Sequence, residues 1–384
     1  MKFINVSYKE FINSRKNRKI VHFGASSTWH YYLKTFPDIS SEVLDHTLFI
    51  VDNSLSKQGQ QFKINGKQFL INSAEALKEE ENYVILITVS LAYQKSICEQ
   101  LLALGLPRDT ECYSLPLMTY NFHEADNSCV KEYFDNHKSP MIQPIIHSFW
   151  FSGEEKPDLY KKCMESWYKY CPDFQIVEWN EKNYDVTKNQ YMREAFEHKK
   201  WAFVSDYARL DVLYQHGGIY LDMDVELVAS LTPFCCADSF FCRQEDGFLE
   251  LGSGFGVRAG DPLVGEMLGT YKNRKLILEN GEIDKTPQPE WLSGILTKYG
   301  FGRCHDSQVI NERLILSNDY VTCHTGKGTV KDAKIGIHWH NGGWLDAQEQ
   351  KLIKDSFEAK DELTNKYFTM KNNEKAGGFG RRIG

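Results

Sequence analysis

Ala202-Phe-Val-Ser-Asp-Tyr-Ala-Arg-Leu-Asp-Val-Leu-Tyr-Gln-His-Gly-Gly-Ile-Tyr-Leu-Asp-Met-Asp224 decides the reading of this chain. It predicts a helix, a glycine break and a strand that ends in two carboxylates. Asp206 and Arg209 lie three apart and share one helix face. Phe203, Tyr207, Leu210 and Tyr214 recur at helical spacing, the pattern of a buried stripe beside that face. Gly217 and Gly218 supply the left-handed turn that stops a helix. Ile219 to Met223 reads as a buried strand. Alternation along it puts Asp222 and Asp224 on one side and Met223 on the other. Two such carboxylates repel unless a cation sits between them. Hard oxygen ligands with room for water and phosphate suit Mg2+ or Mn2+.

An Asp-x-Asp triplet alone is usually a solvated loop, and an isolated Asp–Arg pair is usually a surface ion pair of little energetic worth. The order of the whole block is far more specific. Ser205, Asp206, Arg209, Gly217, Gly218, Tyr220, Asp222 and Asp224 spell SD-x-x-R followed by GG-x-Y-x-D-x-D. This resembles the sugar-binding, DXD-containing glycosyltransferases, the family of yeast initiating mannosyltransferases, bacterial capsule enzymes and, more distantly, the large clostridial glucosylating toxins. The resemblance implies a GT-A fold, a nucleotide-sugar donor, a divalent cation and retention of anomeric configuration. It implies cation binding by Asp222 and Asp224, phosphate or sugar–phosphate contact by Arg209, and sugar hydroxyls on Asp206. Ser205 and Tyr220 fall in the same donor site.

Two further blocks carry the resemblance. Ile145-Ile-His-Ser-Phe-Trp-Phe151 is similar to the family's opening strand. It departs at Pro144 and at Ser152, where glycine is common. Trp150 falls at the strand exit, where the family places an aromatic against the nucleotide base; a core tryptophan is the plain alternative. Ser166 to Asn180 fits the helix and second strand, with Trp167 as a packing residue. Ile337-His-Trp-His-Asn-Gly-Gly-Trp344 is similar to the H-H-W-x-G-S-W that closes many relatives, matching at His338, Gly342 and Trp344. Gly343 replaces the serine, which removes any hydroxyl contact there. His338 is the candidate third ligand, with His340 as its competitor, and Trp344 a candidate donor contact. Between the blocks, Gly252-Ser-Gly-Phe-Gly256 permits close backbone approach to a ligand, or forms a plain hairpin. Ser253 resembles the family's small residue near the transferred sugar.

The 384 residues suffice for two domains. Hydrophobic residues at 42% and charged residues at 25% fit a soluble globular protein. A net charge of -7 without a basic block argues against nucleic acid. The 10 cysteines lack CxxC spacing, so reduced thiols are expected rather than zinc or disulfides. No signal peptide or membrane span is evident, which predicts a cytoplasmic enzyme or one at the inner membrane face. Residues 1–120 alternate strands (Lys19–Gly24, Thr47–Asp52, Tyr83–Val89) with helices, one of them stopped by Gly105. That pattern predicts a small Rossmann-like parallel α/β domain. Only Gly24 remains of a G-x-G-x-x-G, and Ser26 replaces the second glycine. Asp52 notwithstanding, a docking or regulatory module is the better reading.

The expected organisation is therefore an α/β chain: accessory domain 1–120, linker 121–140, GT-A type glycosyltransferase domain 141–350, then a C-terminal helix and a flexible basic tail, 351–384. The expected reaction moves a hexose or N-acetylhexosamine from a nucleotide sugar, UDP-linked by analogy with capsule enzymes, to a glycan or lipid-linked oligosaccharide acceptor. Arg381 and Arg382 offer a weak membrane-surface contact. Two other classes stay open: a metal-dependent nucleotide-sugar hydrolase or phosphoesterase using the same Asp pair, and a non-catalytic nucleotide-binding protein using Gly24 and Asp52.

Overall fold

The computed structural model describes residues 1–15, 17–26, 29, 42–64, 66–118, 125–244, 246–279, 281–284, 286, 288–302, 304–323, 333–340 and 347–370. The chain divides into two compact units, Met1–Phe122 with Ala347–Gly384, and His123–Asp346.

The first unit is a mixed α/β layer built on strands rich in Val, Ile and Phe: β1 (Lys2–Asn5), β2 (Lys19–Phe23), β3 (Thr47–Val51), β4 (Gln61–Ile64), β5 (Lys67–Asn72), β6 (Tyr83–Ile87) and β7 (Glu111–Ser114). All pair in parallel except the β4–β5 hairpin. Every side chain of Tyr83–Ile87 is buried, as expected for a strand covered on both faces. After β2 the chain moves one way through β3 to β5, then returns to place β6 on the other side of β2. The ends of β2 and β6 therefore form a topological switch point, the usual ligand crevice of such sheets. Val89 packs close against Gly24 there. A Cβ at Gly24 would overlap Val89 Cγ1. Thr88 Oγ1 donates to Gly24 O at 2.8 Å and Ser26 Oγ donates to Thr88 O at 2.7 Å. Asp52 accepts from Ala25 N and Ser54 N, each at 2.8 Å, and pairs with Lys57 at 3.3 Å.

Two expected boundaries change. Helix Ala347–Lys366 leads into strand Thr369–Met370, which pairs in parallel with β1. Leu363 and Phe368 are buried in the first unit's core, where Phe368 meets Phe3 edge-on at 5.3 Å. The segment after 350 thus completes the N-terminal sheet instead of trailing from the C-terminal domain. Its basic end, with Arg381 and Arg382, lies outside the described residues. The expected linker contains helix Ser128–Asn136, whose Val130 and Tyr133 enter the second unit's core. Their apolar spacing outweighs the polar average that suggested a linker.

The second unit holds β8 (Ile145–Phe149), β9 (Gln175–Trp179), β10 (Gly218–Tyr220), β11 (Val225–Leu227), β12 (Ser239–Cys242), β13 (Phe255–Val257), β14 (Gln308–Ile310), β15 (Arg313–Leu316), β16 (Val321–Cys323) and β17 (Gly336–His338). Seven of them form one mixed sheet in the order β14-β15-β12-β13-β10-β8-β9. The others form a small sheet, β11-β17-β16. Helix Trp201–His216 is the central helix, buried on more sides than one stripe requires. Phe203 and Leu210 are buried as expected, but Tyr214 is 40% exposed. Asp206, Arg209 and Asp211 turn inward instead.

Gly217 and Gly218 end that helix at φ +66° and +100°. Their role is steric as well as conformational. A Cβ at Gly217 would lie 2.7 Å from Ala259 N, and one at Gly218 would lie 2.9 Å from His147 Nε2. Burial pushes the His147 imidazole down to about 4, against the opposing Gly217 bond. The neutral ring donates from Nε2 to Gly217 O and accepts Trp179 Nε1–H at Nδ1, both at 3.0 Å. The histidine of the Ile145–Phe151 block is thus a clamp on the glycine turn.

Candidate active site

The strand before the carboxylates is shorter than the alternation pattern predicts. β10 stops at Tyr220, and Val225 N bonds Asp222 O at 3.0 Å, closing a turn over Asp222 to Val225. Asp222 and Asp224 are brought together by this turn, not by alternation along a strand. An i→i+3 closure reverses the chain and aims both side chains toward one centre.

The third member comes from far along the chain. β17 pairs antiparallel with β11, setting His338 opposite Val225. Trp339 N donates to Asp224 O at 3.0 Å and pins the strand end. His338 Nε2 then lies 3.2 Å from Asp224 Oδ1 and 3.8 Å from Asp222 Oδ2. One ligand atom from each of the three residues lies within 4.8 Å of the others. His340 stacks on His338 at 3.9 Å, at a positive φ of 45°. It is exposed and outside this cluster. Trp344 lies outside the described residues.

The helix supplies the charged floor. Arg209 Nη2 donates to Asp206 Oδ1, and Arg209 Nη1 lies 3.8 Å from Asp222 Oδ1. The guanidinium also sits 5.0 Å from the Tyr220 ring centroid, while Tyr220 OH donates to Asp222 Oδ1. Asp206 and Arg209 are 7% and 5% exposed, so this is no surface pair. A buried charge needs its partner, and removing either is expensive. Burial raises the Asp206 carboxyl to about 6 against the pull of Arg209, with Asp222 adding to the rise. Gln288 Nε2 donates to Asp206 O at 2.7 Å and to Tyr271 OH at 2.7 Å, anchoring this helix turn. Ser205 is spent locally: its Oγ bonds Ala202 O at 2.8 Å, and its carbonyl accepts Arg209 Nε at 3.2 Å.

Two expected contacts look different in place. Trp150 is half-buried against the core, with Nε1 bonded to Glu154 O at 2.7 Å and Tyr160 edge-on at 5.4 Å. Ser253 is fully buried and bonds His338 Nδ1 at 2.9 Å, facing the histidine rather than open space. Trp167 is buried and donates to Val225 O at 2.7 Å.

Glu250 was not singled out by the sequence. Its Oε1 accepts Gly252 N at 2.9 Å. A Cβ at Gly252 would overlap Asp222 Oδ2 and lie 2.9 Å from Glu250 Oε1. Burial pushes the Glu250 carboxyl up to about 7, with His338 opposing and Asp222 adding. The only available signal was a carboxylate two places before a glycine. Four carboxyl groups, Asp206, Asp222, Asp224 and Glu250, thus share this site with one guanidinium and one imidazole. Burial lowers the affinity of the His338 ring for a proton, but Asp224 and Asp222 outweigh it and hold it up to about 9. Without a cation, a proton on His338 partly balances the excess negative charge. Oxygen ligands with one imidazole suit Mn2+ or Mg2+. The residues present therefore fit a divalent cation.

Residues 157–241 match the family described as "Glycosyltransferase sugar-binding region containing DXD motif". The match takes in Asp206, Arg209, Asp222 and Asp224 and ends before Glu250, Ser253 and His338. An uncharacterized glycosyltransferase of Acanthamoeba polyphaga mimivirus is 36% identical over 107 residues. The aligned part is 26% of this chain and 43% of that protein, so the chain spans less than half the length of this relative. Among solved structures, the PaToxG glycosyltransferase overlays 44% of this chain and 74% of its own at 18% identity and a TM-score of 0.32. Aspartate semialdehyde dehydrogenase II of Vibrio cholerae, complexed with ASA, overlays 91% of this chain and 99% of its own at 8% identity and a TM-score of 0.20. Overlays this loose carry no argument. The sequence match stands without them: residues 157–241 are similar to the DXD-containing sugar-binding region of glycosyltransferases.

Proposed function

We propose that this chain is a cation-dependent glycosyltransferase of GT-A type that takes a hexose or N-acetylhexosamine from a nucleotide sugar, UDP-linked, to a glycan or lipid-linked oligosaccharide acceptor. The observation that carries the proposal is the convergence of Asp222, Asp224 and His338 to within 4.8 Å, with the two aspartates inside the matched sugar-binding region. A divalent cation such as Mn2+ or Mg2+, once bound there, would supply Lewis-acid neutralisation of the diphosphate leaving group. The residues of the chain do the rest. Asp222, Asp224 and His338 would hold the ion. Tyr220 OH orients the Asp222 carboxylate. Arg209, anchored on Asp206, presents fixed positive charge beside Asp222, where donor phosphate oxygens or sugar hydroxyls would lie. A group held rigid before the reaction stabilises developing charge without reorganisation.

Trp150 is assigned to the nucleotide base on its place at the exit of β8. Retention of configuration, a role in capsular or surface polysaccharide synthesis and work at the inner membrane face follow from the resemblance. Among the described residues no helix is long and apolar enough to cross a membrane. The first unit is assigned an accessory role, because Gly24 is all that remains of a G-x-G-x-x-G and Val89 packs against it.

The test is a donor screen: a panel of UDP- and GDP-sugars incubated with the protein, with Mn2+, Mg2+ or chelator, followed by nucleotide release. One donor should be consumed only with the cation, and an acceptor mixture should divert its sugar into glycan. Release that never yields glycan with any acceptor would favour the hydrolase reading. Nucleotide binding that ignores the cation would remove the DXD assignment.

A further inference from the structure

We propose that the turn Glu250-Leu-Gly-Ser253 positions the cation ligands: Ser253 supplies the acceptor for His338 Nδ1–H that leaves Nε2 turned toward the ion, and Glu250 holds the turn that carries Ser253. This inference rests on the reading of Asp222, Asp224 and His338 as a cation site.

The connections are direct. Ser253 is fully buried, and its Oγ lies 2.9 Å from His338 Nδ1. A cation can use Nε2 only if the ring proton sits on Nδ1, and Nδ1–H then needs an acceptor. The Ser253 hydroxyl is that acceptor. In the empty site the ring protonated on both nitrogens presents the same Nδ1–H to Ser253, while its Nε2–H faces Asp224 Oδ1 at 3.2 Å.

The second ligand is tied to the same turn through the backbone. Asp222 N donates to Gly252 O at 3.0 Å. Gly252 N in turn donates to Glu250 Oε1 at 2.9 Å. Glu250 N bonds Cys242 O at 2.9 Å, which roots the turn on β12. Any side chain at Gly252 would collide with Asp222 Oδ2. One short segment thus fixes the backbone of Asp222 from below and the ring of His338 from the side. Ser253 and Glu250 are positioning residues, since neither needs to touch the donor.

The experiment measures Mn2+ binding to the full-length protein by the loss of the free-ion electron paramagnetic resonance signal, with thermal melts run beside it. Ser253→Ala should weaken Mn2+ binding about 10- to 100-fold, the usual cost of losing an outer partner of a ligand. Glu250→Ala should weaken it about 10-fold. Glu250→Gln keeps the oxygen acceptor for Gly252 N and should stay near wild type. If Glu250 acted by charge on the ion, the Gln and Ala variants would lose equally, which overturns its positioning role. Nitrogen-15 spectra of the Mg2+-loaded protein should show His338 protonated at Nδ1, with that signature lost or mixed in Ser253→Ala. Unchanged Mn2+ affinity and an unchanged His338 signature in a folded Ser253→Ala overturn the proposal alone. A wild-type protein that binds no Mn2+ overturns the cation reading beneath it.

Discussion

Two strand ends in this molecule carry an aspartate, and they have opposite fates. Asp52 follows β3 in the first unit, where its oxygens are used by Ala25 N, Ser54 N and Lys57. Val89 packs against the neighbouring Gly24. Asp222 follows β10 in the second unit and meets Asp224 and His338, in a site with more carboxyl groups than basic ones. Both positions look alike in sequence: an apolar run, then an acid, in a unit containing a glycine turn. The difference is whether the surrounding fold satisfies the carboxylate. A strand-end acid is structural when local N–H groups and a lysine consume it. It is a candidate for chemistry when the fold gathers further like charges around it.

The strongest attempt to break this comparison is Asp224→Asn. It should cut cation-dependent donor turnover by about three orders of magnitude, because a Lewis acid contributes several kcal/mol and each 1.36 kcal/mol is tenfold. The melting curve should stay cooperative. Near-wild-type turnover with intact Mn2+ binding would place the chemistry elsewhere.

Gly24→Ala probes the packed end. The new methyl would meet Val89 Cγ1 at φ +119°, costing about 1–3 kcal/mol of stability through overpacking and backbone strain. Denaturant melts should show the loss, while Mn2+ affinity of the folded protein stays within twofold. Binding of NAD or a nucleotide by the wild-type protein that Gly24→Ala abolishes would instead mark this crevice as a site.

Trp150→Ala should raise the donor KM about tenfold, in line with the 1–3 kcal/mol typical of a base on an aromatic ring. Its indole N–H is already bonded to Glu154 O, so only the ring face is left to act. A fall in melting temperature with unchanged UDP affinity would make Trp150 a packing residue.

The smallest effect is a proton count. The empty site holds His338 up to about 9, above the ordinary 6.5. Its charge therefore favours the cation-free fold fully below about pH 6.5, and that contribution is lost as pH rises through 9. A cation takes the neutral ring, so Mn2+ affinity should climb across this window. At pH 8 the Glu250 carboxyl, raised only to about 7, is mostly ionised. Calorimetry in buffers of differing protonation enthalpy should then find about one proton released per Mn2+. No release would remove His338 from the ligand set.

Much of this was written locally. The helix Trp201–His216, its glycine stop and the three parallel strands around Gly24 and Asp52 follow from periodicity and turn chemistry within short windows. The β4–β5 hairpin and the closing strand Thr369–Met370 were not legible, since four residues and two carry little pattern. The burial of Asp206 and Arg209 was hidden too, because helix-face arithmetic cannot see a second layer of protein above a polar face.

Local order alone names the candidates for a cation and a donor: the succession Asp206, Arg209, Gly217, Gly218, Asp222, Asp224 is a pattern within one short window. The tertiary structure decided how they meet. The turn Asp222–Val225 replaced strand alternation, and antiparallel pairing of β17 with β11 carried His338 to Val225. It also gave Glu250 and Ser253 their places. Such contacts arise from pairings between distant segments, whose register is set by what both faces bury, and no window of neighbouring residues contains that information.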